Sequence, residues 1–206
     1  MALETVDTSK IYLSIVKGNL VQKVEEGAEG ARKRVYEKSD GSSGEKWELT
    51  YKSVSGFVSN LTFKESDFGE QFVIELTDGE EKCQIQFPSA GSYFADFGKK
   101  ISDIHLDLPI TIKPYDFTTK EGKKKTGLSI LQEGQKLAST FWDAEKKKVL
   151  GGFPQPKDKG KGFDSDDWKV YFISVKKFLK DHIQKVWGGH QPNEAPEPQL
   201  QEEDDF

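Results

Sequence analysis

Val54-Ser55-Gly56-Phe57-Val58-Ser59-Asn60-Leu61 alternates apolar and polar side chains, and its reading decides the fold. Val54, Gly56 and Val58 share one side, which leaves Phe57 projecting opposite between Ser55 and Ser59. The same period-two pattern recurs over 71–77 and 82–87, so 53–63, 71–77 and 82–87 read as three strands with short Gly- and Asp-containing loops. Over 92–104 the period changes. Tyr93, Phe94, Phe97, Ile101 and Ile104 recur at helical spacing, which predicts one short helix. Alternation returns over 108–115, where Ile110 and Ile112 point inward, and over 127–132. Loops this short between the first three strands exclude parallel crossovers. Three strands, a helix and two strands over about 80 residues is the order of a five-stranded Greek-key barrel, the OB-fold, with the helix plugging its open end.

Outward on the N-terminal side, residues 11–16 and 20–24 are apolar segments joined at Gly18-Asn19, a predicted hairpin. Residues 32–38 pair with 46–52 across a turn at 40–44, and Trp47 and Tyr51 read as a minor core, with contact to nucleic acid as the alternative. On the C-terminal side, a Gly/Pro/Lys linker over 151–162 precedes Ser165-Asp166-Asp167, a helix start with acids in the first turn. Trp168, Phe172, Val175, Leu179, His182 and Val186 then follow at three- and four-residue steps. That stripe either packs on the barrel or is buried against a second copy. Val170 to Ile173 is β-prone, so a strand leading into a helix is the alternative. The expected architecture is mainly β, one domain over 1–189. It has a barrel core at about 53–142, an N-terminal β extension at 1–52, and a linker with C-terminal helix at 143–189. A disordered acidic tail follows at 190–206.

The 206 residues carry a net charge of -5, but unevenly. The last 17 residues hold six acids and no Lys or Arg, whereas 117–161 hold eleven lysines against five acids. One cysteine and three histidines make a zinc cluster improbable on numbers alone. Cys83 alternates inward with Ile85 and Phe87 and reads as a small core residue. No phosphate-binding Gly loop and no nucleophile–base pair stands out, so neither an enzyme nor a cofactor is expected. No apolar run reaches membrane-spanning length and the first ten residues lack a secretory pattern, so the expectation is a soluble cytoplasmic protein.

A barrel that grips single-stranded nucleic acid needs flat rings for base stacking and cations that follow phosphates. Phe57 supplies one ring. In the fourth strand Lys113 and Tyr115 point out, and Phe117 continues that side. The next loop, 118–126, carries Lys120, Lys123, Lys124 and Lys125, while the loop at 64–69 carries Phe68. Those two loops flank the binding groove of an OB barrel. Lys82 and Trp142 complete the expected DNA-contacting set; Trp142 alternatively closes a barrel edge beside Phe141.

The chain ends Gln201-Glu202-Glu203-Asp204-Asp205-Phe206. This end resembles the acidic C-terminal tip of single-stranded DNA-binding proteins from bacteria and their phages. The bacterial tip ends in an acidic run followed by Ile-Pro-Phe; here Asp205 directly precedes Phe206, as in phage versions. The resemblance covers the barrel region and the last six residues. It implies sequence-nonspecific binding of single-stranded DNA in replication, recombination and repair. It also implies recruitment of replication proteins (polymerase, helicase or primase, recombination proteins) by Glu202, Glu203, Asp204, Asp205 and Phe206. The protein would be a monomer or homodimer. A protein–protein adaptor or virion component built on the same barrel is the alternative, and a metal-dependent nuclease a third.

Overall fold

A computed structural model describes residues 10–38, 40–156 and 162–189. The acidic tail, with Glu202 to Phe206, lies outside the described residues, as does part of the expected linker. The chain is mainly β. Its strands are β1 (Lys10–Val16), β2 (Asn19–Val24), β3 (Arg32–Glu37), β4 (Ser43–Tyr51), β5 (Val54–Lys64), β6 (Gln71–Asp78) and β7 (Glu81–Pro88). Helix α1 (Ser92–Gly98) and a 3-10 turn (Ile101–Asp103) lead to β8 (Ile110–Thr118), β9 (Lys124–Gln132) and β10 (Gln135–Lys136). A small ribbon, β11 (Trp142–Asp143) with β12 (Lys148–Val149), precedes helix α2 (Ser165–Gly188).

Ten strands form one mixed sheet in the order β10-β9-β8-β5-β6-β7-β1-β2-β4-β3. The expected five strands and their helix are present in sequence order, but they do not close into a five-stranded barrel. The reason lies at β7. Its free edge takes β1 in parallel register, Ile11 opposite Cys83 and Leu13 opposite Ile85, so the sheet continues through the N-terminal strands instead of returning to β9. Near Leu128 the edge of β9 is capped by α1 instead, and further along it takes only the two-residue β10. Asp96 Oδ2 accepts the Leu128 N–H at 2.9 Å, and Lys100 Nζ donates to the Leu128 carbonyl. An edge whose backbone groups are already bonded offers no template for another strand.

The N-terminal strands from Lys10 to Tyr51 are therefore no appendage. Leu13 and Leu20 are buried with Leu61, Ile74, Ile85 and Ile112 in one core. Alternation predicts the inward set, because a period of two sends every second side chain to the same face. The β1–β2 turn is one residue earlier than expected: Lys17 and Gly18 occupy it with φ of 48 and 73°, and Asn19 begins β2. A two-residue turn with both φ positive matches strand twist. Only glycine fits at Gly18, since an added Cβ would meet the Asp116 backbone N at 2.3 Å. This turn brings the N-terminal hairpin against β8. Of the predicted minor core, Trp47 is half-buried, but Tyr51 is exposed and donates its hydroxyl to Gln22 Oε1 at 2.8 Å.

Helix α1 closes the end of the core with Phe94 and Phe97, whose rings stand 5.5 and 5.3 Å from Phe72. It stops at Gly98, short of the predicted Ile104, and Lys100 turns inward to the β9 edge. Helix α2 opens with a capping box: Asp164 accepts the N–H groups of Asp166 and Asp167, and Asp167 reaches back. Val175, Leu179 and Ile183 seat it on the body. Residues 165–188 are one helix, so the strand alternative does not occur. Trp168 and Phe172, the first members of the predicted stripe, remain exposed because the helix begins beyond the edge of the body. Lys176 and Lys180 grip Glu70, whose carboxyl is held down to about 2 by its bond from Lys180, with Ser89 and Lys176 adding to it.

Candidate nucleic-acid interface

The outward side of β5, β6, β7 and β1 carries the most ordered set of rings and cations. Phe57, Thr77, Lys82 and Lys10 lie directly opposite one another on successive strands, so their side chains share one face. The next row is Asn60, Glu75, Gln84 and Tyr12. Phe57 is 40% exposed and Tyr12 is 59% exposed. Three strand spacings separate the two rings, roughly 14 Å. Lys10 Nζ stands 5.8 Å from the Tyr12 ring centroid and 2.7 Å from Glu75 Oε1. Between the rings is a depression of about 370 Å³ lined by Lys10, Asn60, Glu75, Thr77 and Lys82. A second, of about 430 Å³, opens beyond Tyr12 between Lys23, Gln71, Gln86 and Tyr93. The first has a mixed floor with polar groups in the majority, whereas the second is mainly apolar, with Leu13, Ile15, Val21 and Phe87 among its walls.

A second group stands on the hairpin of β8 and β9. The lysine-rich loop is shorter than predicted, because Lys124 and Lys125 are strand residues opposite Thr118 and Phe117. Lys120 and Lys123 sit in the turn itself. All four lysines are exposed; Lys124 lies 3.4 Å from Asp116 and Lys123 lies 3.8 Å from Glu121. The Lys123–Glu121 pair is solvent-exposed and therefore weak, whereas Lys124 reaches a largely covered Asp116. Phe117 is exposed, and its ring centroid is 5.8 Å from that of Tyr115.

Tyr115 is not a free stacking platform. It is half-buried and its hydroxyl donates to Asp96 Oδ2 at 2.9 Å. Burial, followed by the Asp96 charge, pushes its phenol up to about 12. Nor do Phe57 and Tyr115 adjoin. Ser55 pairs with Thr111, which places them on opposite sides of that pair and six residues apart, roughly 20 Å along the strands. The expected single cradle is thus two separate groups, with Lys113 between them on β8.

Phe68 is exposed at the tip of the β5–β6 loop, at the far end of β5 from Phe57. Trp142 is exposed on the small ribbon, while its neighbour Phe141 is buried against Phe153 and Phe178 beside α2. Neither is brought to the outward face. Tyr12 was not singled out from the sequence, yet the signal was there: Ile11, Leu13 and Ile15 alternate inward, so Tyr12 points out. What one strand could not reveal is that β7 lies beside it. Cys83 packs against the core, and burial raises its thiol to about 11. No group of three His, Cys, Asp or Glu among the described residues is placed to hold a metal ion. Among the same residues no helix is long and apolar enough to cross a membrane.

No family model matches the chain, and neither a curated protein nor a solved structure does. What this surface does must follow from the side chains it presents.

Proposed function

We propose that the chain binds single-stranded DNA without sequence preference, and that its acidic C-terminal sequence recruits replication proteins. One observation carries the reading: Tyr12 and Phe57 present exposed rings on one sheet face, with Lys82 and Lys10 in the row of Phe57 and Tyr12 in the adjoining row. Each base stacked on an aromatic ring contributes about 1–3 kcal/mol and needs no particular base, because every base has a π-face. Lysines that neutralise phosphates add a sequence-independent, salt-dependent term. The hairpin lysines extend that cationic surface beyond the rings. A duplex keeps its bases stacked internally and cannot offer them to Tyr12 or Phe57.

The strand order supports an OB-type ancestry for the core. β5, standing for the first strand, lies between β6 and β8, the second and fourth, and the helix falls between the third and fourth. Four N-terminal strands enter where the third and fifth strands of that barrel would meet. In an OB domain the outer side of the second and third strands is the binding face, which here is the side carrying Thr77, Lys82 and Gln84. The terminal Glu202-Glu203-Asp204-Asp205-Phe206 supplies long-range steering and one apolar anchor for a basic, apolar-centred pocket on a partner.

Fluorescence titration of the full chain tests the reading directly. Oligo-dT is expected to quench aromatic emission and to bind with an affinity that falls steeply between low and high salt. Duplex of the same length is expected to bind far more weakly. Equal affinity for the two forms would overturn the proposal, as would binding indifferent to salt.

A further inference from the structure

Helix α2 carries two stripes. Val175, Leu179 and Ile183 are buried against the body, and Leu179 and Ile183 approach Gly98 of α1 so closely that a Cβ there would lie 3.2 and 3.4 Å from them. At 3.6 residues per turn, Asp166, Val170, Ile173 and Lys177 fall on the opposite side of the cylinder. Val170 and Ile173 are each 67% exposed, and both charged residues are exposed as well. The solvent side of a helix in a self-contained body is polar. Ile173 borders the depression that α2 shares with α1, yet both β-branched side chains leave two-thirds of their surface uncovered.

The four residues read acid, apolar, apolar, base at steps of four, three and four, the spacing of a coiled-coil seam. That order has a symmetry. The midpoint between Asp166 and Lys177 is also the midpoint between Val170 and Ile173. A two-fold axis through it, relating two antiparallel helices, sets Val170 of each copy on Ile173 of the other and Asp166 of each on Lys177 of the other. We propose that this chain forms a two-fold dimer through the outward face of α2, with Val170 and Ile173 as its apolar centre and Asp166–Lys177 pairs at both ends. A parallel arrangement would oppose Asp166 to Asp166 and Lys177 to Lys177, so the charges select the antiparallel one. Asp166 now pairs with Lys169 of its own chain at 2.9 Å, a surface contact weak enough to exchange. Four residues a side bury less than the roughly 1,200 Å² of a standard interface. The dimer is accordingly a weak one, populated at micromolar concentrations and above.

Sedimentation velocity on the full chain, from about 1 to about 500 μM, tests this. A concentration-dependent shift from monomer to dimer is expected. Lys177→Asp and Asp166→Lys each place like charges opposite one another twice, and each is expected to weaken the dimer by about tenfold or more. An equimolar mixture of the two variants restores opposite charges at every pair, so it is expected to dimerise where neither variant alone does. Ile173→Gln, which keeps the helix start and both charges, is expected to weaken the dimer too. A chain monomeric throughout, a dimer indifferent to these substitutions, or a mixture that stays monomeric would each overturn the proposal.

Discussion

Strand β1 has two faces with different work to do. Ile11, Leu13 and Ile15 point into the core, whereas Tyr12 and Ser14 point to solvent and Lys10, on the same outer side, is largely covered in its ion pair with Glu75. The same division runs through β5, where Val58 and Leu61 are buried and Phe57 is open. Inside, close packing makes every side chain depend on its neighbours. Outside, the rings and lysines touch few partners. On the proposed reading, folding and binding fall to alternate residues of the same strands, and each is expected to be removable without the other.

The largest effect is expected inside. Leu20→Ala, at a fully buried position, should cost about 2–5 kcal/mol in urea unfolding, because it removes contacts and leaves a cavity. Tyr12→Ala on the adjoining strand should change stability by no more than about 0.5 kcal/mol. If Tyr12→Ala destabilises as much as Leu20→Ala, the division between faces fails. Next in size is binding. Tyr12→Ala and Phe57→Ala should each weaken oligo-dT affinity by about 1–3 kcal/mol in fluorescence titrations, at low and high salt alike. Replacing Lys120, Lys123, Lys124 and Lys125 by Ser should act differently. It should flatten the salt dependence by roughly 0.7 in log–log slope for each lysine that meets a phosphate, with little loss at high salt.

A smaller effect is expected from acid. Glu70 titrates at about 2 in the folded chain against an ordinary value of 4.5, so its ion pairs with Lys180 and Lys176 contribute fully above pH 4.5. That contribution is lost as pH falls through the interval down to about 2. The melting temperature should decline over that range, and Glu70→Gln should decline less steeply over it while starting lower at neutral pH. Smallest of all is the effect of ending the chain at Gly189. Oligo-dT should bind this shortened form as well as the full chain or slightly better at low salt, because six acids no longer compete with phosphates.

Much of this was legible in the residues. The alternation over β5 to β9, the helical spacing at Phe94 and Phe97, and the capping acids of α2 all act locally, and local signals survive in a single sequence. The pairing of β1 with β7 did not, because it joins Leu13 to Ile85 and nothing in either segment specifies the other. Missing that pairing hid Tyr12 as a member of the outward face shared with Phe57 and made the N-terminal strands look peripheral. Lys124 and Lys125 read as loop because lysine is a poor strand former, yet their pairing with Thr118 and Phe117 holds them in β9. Periodicity also placed Trp168 and Phe172 on the seated stripe of α2. It fixes which side of a helix faces the body, not how far the body extends beneath it.

The parallel contact of β1 and β7 has a bearing on how the chain is made. Lys10 leaves the ribosome some seventy residues ahead of its neighbour Lys82, and until then only the antiparallel partner β2 is at hand. A pairing so distant along the chain is slow to form. The N-terminal strands must therefore wait as a half-finished ribbon, and the surface that carries Tyr12 is complete only once the middle of the protein has been synthesised.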